Sequence, residues 1–564
     1  MANAPDWLPI ARWLPRYRRA DLLGDLGASI VVAVLLIPQS MAYAMLAGLP
    51  PVTGLYASTL PLLAYALFGH GMTQSVGPMA LTSLMTASAL APIIATGQDP
   101  LAAATVLALL CGAMLIAFGL LRLGRITRLL SLPVVSGFTS GTAILIGLGQ
   151  LGPLLGIRIT GEQLPEQLAH WLQAAMQLQP APLGFGLVAL GLFWLVGEAL
   201  PRLLQQRALF SRLLPIVVLV LLTRYAHTHP QLAKVGPLPS AELTLSWPTA
   251  TLDGIAELWL PALLIGLVGY LQSLTIAQTL AQQRGETVDP DQELLALGAA
   301  NLAAGSVGGL PVSGGFSRTA VNAGAGARTP MAGVFTAGWI VLAAATLGDL
   351  LALLPKAALA ATIVLAAFKL IDLHQLRASW RYDRRDGAAL IATLAVTLLF
   401  GAMPGIASGV LLSLALYIHR TSQPQIVVLG RLPGTEHFRN VERFDTETWP
   451  QLTLLRLDEN LYFGNARAVE DGVLARLDAD TRDVVLVLSG VASIDYSAAG
   501  MLDKLDTTLA ARGIALHLAE LKVPLQQRLA ANQLLGALRD RSFLNAHQAV
   551  IALLSAEPST KNPA

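Results

Sequence analysis

The chain has 564 residues, of which 54% are hydrophobic and only 13% are charged. Soluble domains carry about 25% charged residues, so this composition excludes a wholly soluble globular protein and predicts a membrane protein. The formal net charge of +2 gives no extended basic surface, and we therefore expect no nucleic-acid partner.

The N-terminal segment, residues 1–23, precedes every long apolar run in the sequence. It combines two tryptophans, Trp7 and Trp13, with a group of arginines. The arginines are Arg12, Arg16, Arg18 and Arg19. A cleaved signal peptide would instead continue directly from a short basic start into an apolar core. The pattern predicts an amphipathic segment at the cytoplasmic membrane interface.

Residues 24–225 are predicted to form a first membrane repeat. Their apolar stretches are long enough to cross a hydrocarbon core about 30 Å thick. The predicted spans are 26–46, 52–68, 76–95, 101–121, 129–151, 183–199 and 213–225. The single cysteine, Cys111, lies in the fourth span, so the chain has no internal disulfide and we expect this thiol to pack against apolar neighbours.

A connector at residues 226–257 follows and contains several prolines, which end regular structure. Beyond it, residues 258–420 are predicted to form a second membrane repeat. Its spans are 258–281, 292–307, 313–323, 331–351, 356–370, 387–401 and 405–419. The two repeats give an α-helical polytopic membrane protein with about fourteen spans, for which membrane lipid is the main solvent.

The distribution of basic residues predicts the orientation of these spans. If the N-terminus is cytoplasmic, most arginines between the spans lie on the cytoplasmic side. They are Arg122, Arg125, Arg128, Arg202, Arg207, Arg212, Arg284, Arg328, Arg377, Arg381, Arg384, Arg385 and Arg420. The opposite side receives Arg158, Arg224, Lys234 and Lys356. An even number of spans then places both termini in the cytoplasm of a bacterial inner membrane.

The segment at residues 425–556 is predicted to be a cytoplasmic α/β domain. Strand-like runs such as QIVVLG, TLLRL and DVVLVLSG alternate there with polar helical segments. About 130 residues are enough to bury an independent core. The last residues, 557–564, are predicted to be a disordered tail.

Two predicted spans are interrupted by glycine and proline at corresponding places in the two repeats. The sequences are SVGPMALTSLM at 75–85 and GGLPVSGGFSRTAVN at 308–322. Paired interruptions are typical of inverted repeats. Backbone amides freed inside a membrane must line a cavity, and the N-terminus of a half-helix presents N–H groups and a positive dipole end. Both features favour a bound anion.

Arg318 lies beside the second interruption, within a predicted membrane span. A guanidinium in that position is costly unless it faces a cavity or a partner, and its charge would attract an anion. The alternatives are that Arg318 reaches the cytoplasmic surface or pairs with a carboxylate, while the glycines only allow close helix packing.

These motifs resemble the SulP family of sulfate permeases over nearly the whole chain. IPQSMAYAMLAGLPPVTGLYAS at 37–58 is similar to the sulfate-transporter signature, and the two interrupted spans are similar to the half-helices of the family. LYFGNARAVE at 461–470 and the segment at 484–505 resemble the STAS domain that ends these permeases. The resemblance implies seven plus seven inverted repeats forming core and gate domains, a homodimer, and an elevator movement of core against gate.

The resemblance also implies a set of residues that contact a small inorganic anion. Gln39 and Tyr43 come from the first span, Met79 and Ala80 from the third, and Phe316, Ser317 and Arg318 from the tenth. Gln39 and Ser317 offer hydrogen-bond donors, and the rings of Tyr43 and Phe316 would form walls of the anion pocket. For each single side chain, simple packing is the alternative.

The sequence departs from the family at Gln272, where many bacterial relatives have a carboxylate that is associated with a coupling cation or proton. A glutamine does not titrate, so Gln272 favours anion exchange or uncoupled flux over symport. The other acids near the spans, Asp25 and Glu293, are explained by solvation or helix capping. Proton- or sodium-coupled transport of bicarbonate or a dicarboxylate is kept as an alternative.

Ser497 lies where related bacterial regulators carry a phosphorylated serine, which makes it a candidate regulatory site in the STAS segment. We prefer the interpretation that Ser497 is the N-cap of the following helix. A cytoplasmic protein partner at this segment is also expected.

Two other function classes are weaker. A membrane-anchored signalling protein would need few spans and no paired interruptions. A nucleobase permease is disfavoured because Gln272 and Arg318 replace the acidic pocket that such carriers use. No nucleophile or metal-ligand pattern is found, so we expect no enzyme activity, no cofactor and no metal.

Overall fold

A computed structural model describes residues 8–124, 131–157, 163–174, 179–199, 208–238, 252–531, 538 and 541–555. Several predictions lie outside the described residues. They concern Trp7, Arg125, Arg128, Arg158, Arg202, Arg207, the side chain of Arg212 and the tail at 557–564. The chain divides into two compact units, Met1–Ser413 and Leu414–Ala564.

The first half of the first unit is helical apart from one short strand, β1 (Val76–Gly77). Its helices are α1 (Ile10–Trp13), α2 (Arg19–Leu46), α3 (Pro51–Tyr56), α4 (Leu60–Phe68), α5 (Ala80–Ala95), α6 (Pro100–Leu120), α7 (Leu132–Leu155), α8 (Leu164–Ala174), α9 (Pro180–Trp194) and α10 (Ala208–His227). A 3₁₀ turn at Leu14–Arg16 follows α1, and a π-helical turn at Leu195–Ala199 extends α9.

The second half of this unit is also helical apart from one short strand, β2 (Ser313–Gly314). Its helices are α11 (Leu252–Gln283), α12 (Pro290–Ser306), α13 (Phe316–Gly324), α14 (Met331–Thr346), α15 (Gly348–Ala352), α16 (Lys356–Phe368), α17 (Leu373–Tyr382), α18 (Arg384–Phe400) and α19 (Ala402–Thr421). The last residues of α19, from Leu414 on, belong to the second unit.

Each predicted span coincides with one or more of these elements. Within the described residues, eight helical segments are long and apolar enough to cross a membrane, and α5, α14 and residues 214–227 of α10 are shorter apolar helices. Two described helices were missed, α8 and α17, because both combine polar and apolar residues. An amphipathic helix does not produce the uninterrupted apolar run by which a span is recognised.

Close packing of α6 against α12 depends on glycines that face each other. A Cβ atom added to Gly112 would lie 2.7 Å from the backbone nitrogen of Leu302 and 2.8 Å from the carbonyl oxygen of Gly298. Only glycine allows two helix backbones to approach this closely inside a membrane. The contact fixes α12 beside α6, and the same helix packs against α4.

The second unit contains a six-stranded sheet with strand order β4-β3-β5-β6-β7-β8. Its strands are β3 (Ile426–Arg431), β4 (Phe438–Asn440), β5 (Leu452–Leu457), β6 (Asp483–Val487), β7 (Ala515–Ala519) and β8 (Ser542–Phe543). Pairing is antiparallel from β4 to β5 and parallel from β5 to β8.

The helices of this unit alternate with the strands, as the sequence predicts. They are α20 (Ala466–Leu474), α21 (Tyr496–Ala510), α22 (Val523–Ala531) and α23 (Ala546–Ser555). Alternate residues of β6 enter two different apolar cores, Val484 and Leu486 on one face and Val485 and Val487 on the other. A strand buried on both faces is typical of a parallel sheet covered by helices on both sides.

Candidate functional site

The two interrupted spans meet at a short antiparallel pairing between β1 and β2. Val76 pairs with Gly314, and Gly77 pairs with Ser313. Each strand leads directly into a half-helix, β1 into α5 and β2 into α13. This pairing of β1 with β2, called the crossing below, therefore brings the N-termini of the two half-helices to one place in the first unit.

The first turns of both half-helices keep their backbone donors free of side-chain caps. The residue before α5 is Met79 and the residue before α13 is Gly315, and both have extended backbone with no side-chain capping bond. An α-helix leaves its first N–H groups without an intrahelical partner and has a positive dipole end there. Two such ends form a site that attracts an anion.

Buried amide and hydroxyl side chains hold the irregular backbone around the crossing. Asn301 of α12 donates to the carbonyl of Val312 at 3.0 Å and accepts the N–H of Val312 at 2.9 Å. Asn322 donates to the carbonyl of Thr73, and Thr319 accepts the N–H of Ser75. These bonds satisfy backbone groups that have no water available in a membrane.

Arg318 extends from α13 into the same region and is only 6% exposed. Within the described part of the chain, none of its three guanidinium nitrogens has a hydrogen-bond partner. A Cβ atom at residue 77 would lie 2.8 Å from Nη1 of Arg318, so Gly77 leaves the space that the guanidinium occupies. Burial of a cation without a partner is costly, which indicates that the partner is a ligand.

A cavity of about 140 Å³ lies against Arg318. Its polar lining consists of Gln39, Ser317, Arg318 and Thr362. The remaining lining is mainly apolar and includes Val32, Pro38, Phe193, Ile216, Leu219, Val321 and Leu359. Pockets for drug-sized molecules measure about 300–1,000 Å³, so this volume suits a small ion better than a large organic solute.

Gln39 and Tyr43 are held together on one face of α2. The amide nitrogen of Gln39 donates to the hydroxyl of Tyr43 at 2.9 Å. Tyr43 is 6% exposed and lies in one apolar cluster with Ala80. Gln39 is part of the cavity lining, while Tyr43 and Ala80 are not.

The other residues that the family resemblance implies do not all lie at the cavity. The sulfur of Met79 accepts the hydroxyl of Ser313 at 3.0 Å, which joins the two interruptions. Phe316 is 61% exposed and lies outside the cavity lining, so its ring is not a wall of this cavity. Gln272 is half-buried, also outside this lining, and its side-chain oxygen has no partner among the described residues.

The structure corrects the interpretation of Glu293 as a solvated or capping acid. Asp289 caps α12, and Glu293 is fully buried. Tyr65 of α4 donates its hydroxyl to the carboxylate, with 3.0 Å to each oxygen. Nothing in the local sequence indicates this contact, because the two residues are 228 positions apart.

Asp25 is likewise buried rather than solvated. Its carboxylate accepts the N–H groups of Arg328 and Thr329 at 2.7 and 3.1 Å and the hydroxyl of Thr329. Asp25 therefore caps backbone groups just before α14, in the second half of the same unit. The capping role is correct, but the capped segment is not its own helix.

In the second unit, the prediction that Ser497 is the N-cap of the following helix is wrong. Asp495 is the N-cap of α21 and accepts the N–H of Ala498 at 2.8 Å, while its other oxygen accepts the N–H of Phe463. Ser497 is an exposed residue in the first turn. Its phosphorylation stays a prediction.

Across the described ranges, no group of three or more histidine, cysteine, aspartate and glutamate side chains could hold a metal ion. The lone thiol, Cys111, is buried and donates to the carbonyl of Ala262 at 3.1 Å, so it packs as predicted.

Comparison with known proteins gives consistent matches to both units. A model of the sulfate permease family matches residues 22–393, and a model of the STAS domain matches residues 443–549. "Sulfate transporter 4.1, chloroplastic" from Arabidopsis thaliana is 34% identical, covering 97% of this chain and 83% of that protein. A probable sulfate transporter from Mycobacterium tuberculosis (strain ATCC 25618 / H37Rv) is 33% identical, covering 97% and 98%.

Among solved structures, the murine solute carrier 26 family member A9 anion transporter in the inward-facing state superposes with a TM-score of 0.89. It is 22% identical in sequence, and the match covers 98% of this chain and 96% of that one. The likeness confirms the predicted fold class, a helical membrane region followed by a STAS domain.

Proposed function

Because the chain belongs to the sulfate permease family, a family of transporters and not of enzymes, we propose that it is a secondary transporter for sulfate or a related small inorganic anion. Anion transport follows from the family, and the identity of the anion is the proposal. Sulfate is supported by the relatives that carry this substrate in their names. We place the protein in a bacterial inner membrane with both termini in the cytoplasm, because of the arginine distribution.

The observation that carries this proposal is the unpaired guanidinium of Arg318 beside two uncapped half-helix starts. The anion would lie in the cavity at Arg318, with Gln39 and Ser317 as donors. Tyr43 would hold Gln39 in position through the hydrogen bond between them. Met79 and Ala80 would contribute the N-cap and the first residue of α5. Phe316 and Gln272 would contact the anion only in another state of the transport cycle.

The transport movement proposed is of the elevator type, in which a core domain with the crossing and its half-helices moves against a gate domain. The membrane repeats would be residues 24–225 and 258–420, with the connector at 226–257 between them, and the STAS domain residues 425–556. A homodimer and a cytoplasmic protein partner of the STAS domain are part of the same proposal. Exchange or uncoupled flux is supported by Gln272, which cannot titrate.

Proton-coupled symport is a second candidate, because the structure contains a fully buried carboxylate, Glu293. The alternative classes of signalling anchor and bicarbonate or dicarboxylate carrier have no single described feature in their favour. The test is uptake of radiolabelled sulfate into proteoliposomes with the purified protein. Stimulation by unlabelled anion inside the vesicles indicates exchange, and stimulation by an imposed pH gradient indicates symport. No sulfate uptake under either condition would contradict the proposed substrate.

A further inference from the structure

We propose that Glu293 is the proton-binding site of this transporter, and that a proton on Glu293 and an anion at Arg318 bind cooperatively. This inference rests on the proposed anion transport. It starts from burial: Glu293 is 0% exposed in α12, inside the membrane unit. A buried carboxylate is stable either as an ion with a cationic partner or as a group that takes up a proton.

No cation within the described residues forms an ion pair with Glu293. Its described partners are neutral: Tyr65 donates to both oxygens, and Ser273, Gln74 and the backbone of His70 lie close enough to interact with the carboxylate. The donors partly compensate an ionised carboxylate, but they do not neutralise it. The site is therefore able to exist in two protonation states.

Among the described residues, the titratable groups on the elements packed against Glu293 do not supply a positive charge. Tyr65 lies on α4, and Cys111 on α6 bonds to a backbone carbonyl. Tyr270 on α11 donates to the carbonyl of Pro290. The imidazole of His70 accepts the N–H of Asp289 through Nδ1, and its pKa is lowered, mainly by burial. Neutral histidine is therefore the form that faces α12 at neutral pH.

Glu293 lies one helical turn from an exposed residue. Asp289, at the start of α12, is exposed and lies four residues before Glu293. Residues four apart lie on the same face of a helix, separated by about 6 Å along its axis. The exposed start of α12 is therefore the nearest end of the helix from which a proton would reach the carboxylate.

The buried polar side chains near Glu293 extend to the pairing of β1 with β2. Gln74 donates its amide to Ser273, and both side chains lie against the backbone of Gly314, where a Cβ atom would collide with each of them. Gly314 pairs with Val76, and the following residues lead to Gly77 and Arg318. A change at Glu293 would therefore reach the half-helix starts through Gln74 and Ser273, which bond to each other and lie against Gly314.

The sign of the coupling follows from charge. An ionised Glu293 places a negative charge inside the membrane unit, where the dielectric constant is low, and this charge opposes anion binding. Protonation removes that charge, so anion affinity increases as the pH falls. By reciprocity, a bound anion increases the proton affinity of Glu293. The acid that the family has at the position of Gln272 is then replaced in function by an acid on the next helix.

The test measures anion binding and proton uptake in the full-length protein in detergent. In the wild type, sulfate affinity should fall by about five- to a hundredfold as the pH rises from acidic to alkaline, and sulfate addition in weak buffer should cause proton uptake. In Glu293→Gln, which keeps an acceptor for Tyr65, both effects should disappear while binding remains. Glu286→Gln removes an exposed carboxylate before α12 and should behave as the wild type.

A second measurement separates proton binding from a structural role and from the proposed function. Infrared difference spectra should show a buried carboxyl group that titrates in the wild type and is absent in Glu293→Gln. Tyr65→Phe removes a donor to the ionised form and should shift this titration to higher pH. A pH-independent affinity together with a silent carboxyl band would overturn the proton site. Absence of anion binding with a titrating band would overturn the proposed function and the cooperativity, but not the proton site.

Discussion

Val76 and Gly314 are paired in antiparallel register, although they come from different halves of the chain. This pairing is the point where the two interrupted spans exchange backbone hydrogen bonds and where both half-helices begin. Because the strands contain only two residues each, the paired backbone ends directly at the uncapped first turns of α5 and α13. The anion site that we propose thus combines the backbone donors of two half-helix starts with the fixed charge of Arg318.

Replacement of Arg318 by alanine should weaken anion binding about ten- to a hundredfold. The reason is that hydrogen bonds to charged groups contribute about 1.5–3 kcal/mol each. Isothermal titration with sulfate measures the effect. Arg328→Ala is a suitable control, because Arg328 is 57% exposed and pairs with Asp21. Equal affinities for the wild type and Arg318→Ala would remove Arg318 from the site.

Gly77→Ala should also weaken anion binding, without removing any polar group. The new methyl carbon would lie 2.8 Å from Nη1 of Arg318 and would displace the guanidinium. Gly147→Ala is the matched control, because nothing lies within 4 Å of a Cβ atom there. The measurement is again sulfate titration, with thermal unfolding to show that both variants are folded. Unchanged affinity in Gly77→Ala would mean that the guanidinium moves aside at no cost.

Asn301→Ala should lower the stability of the membrane unit by about 1–3 kcal/mol. Its side chain satisfies both backbone groups of Val312, and a buried unsatisfied group of this kind carries a penalty of that order. Thermal unfolding in detergent measures the change. Thr346→Ala serves as the control, because its exposed hydroxyl only bonds back to Leu342. An equal melting temperature for both variants would mean that water replaces the amide of Asn301.

The positions of the spans were predictable from the sequence because length and apolar composition are local properties. The half-helices were predictable for the same reason, since glycine and proline mark a break wherever they fall in an apolar run. Arg318 was recognised because a charge inside a span is rare. Helices α8 and α17 were missed because their polar residues interrupt the apolar run by which a span is recognised.

The contacts of Glu293 were not predictable, because they depend on which helices become neighbours. In the sequence, Glu293 follows Asp289 and Pro290 and has the pattern of an ordinary acidic helix start. Only the packing of α4 and α11 against α12 brings Tyr65 and Ser273 to it. The N-cap at Asp495 was missed for a smaller reason, since Asp495 and Ser497 are both good caps and lie two residues apart.

His70 should make the folded state less stable at acidic pH. Burial lowers the pKa of His70 below its ordinary value, so the folded chain binds fewer protons there than the unfolded chain. Stability should therefore fall as the pH drops through and below about 6.5, the ordinary histidine pKa. In His70→Asn, whose side-chain oxygen can accept the N–H of Asp289, the melting temperature should depend less on pH in this range. An identical pH dependence in both proteins would exclude His70 as its origin.

Gln272→Glu tests whether the position of the missing family acid still communicates with the anion site. The introduced carboxylate would be neutral at low pH and negative above its pKa, so anion affinity should fall as the pH rises. The experiment is cleanest in a Glu293→Gln background, where we expect the pH dependence that originates at Glu293 to be absent. A new pH dependence in the double variant would show that a carboxylate at position 272 on α11 can couple anion affinity to protonation without Glu293. A flat profile would mean that residue 272 is electrostatically separate from the anion, and the absence of an acid there would then say nothing about exchange or symport.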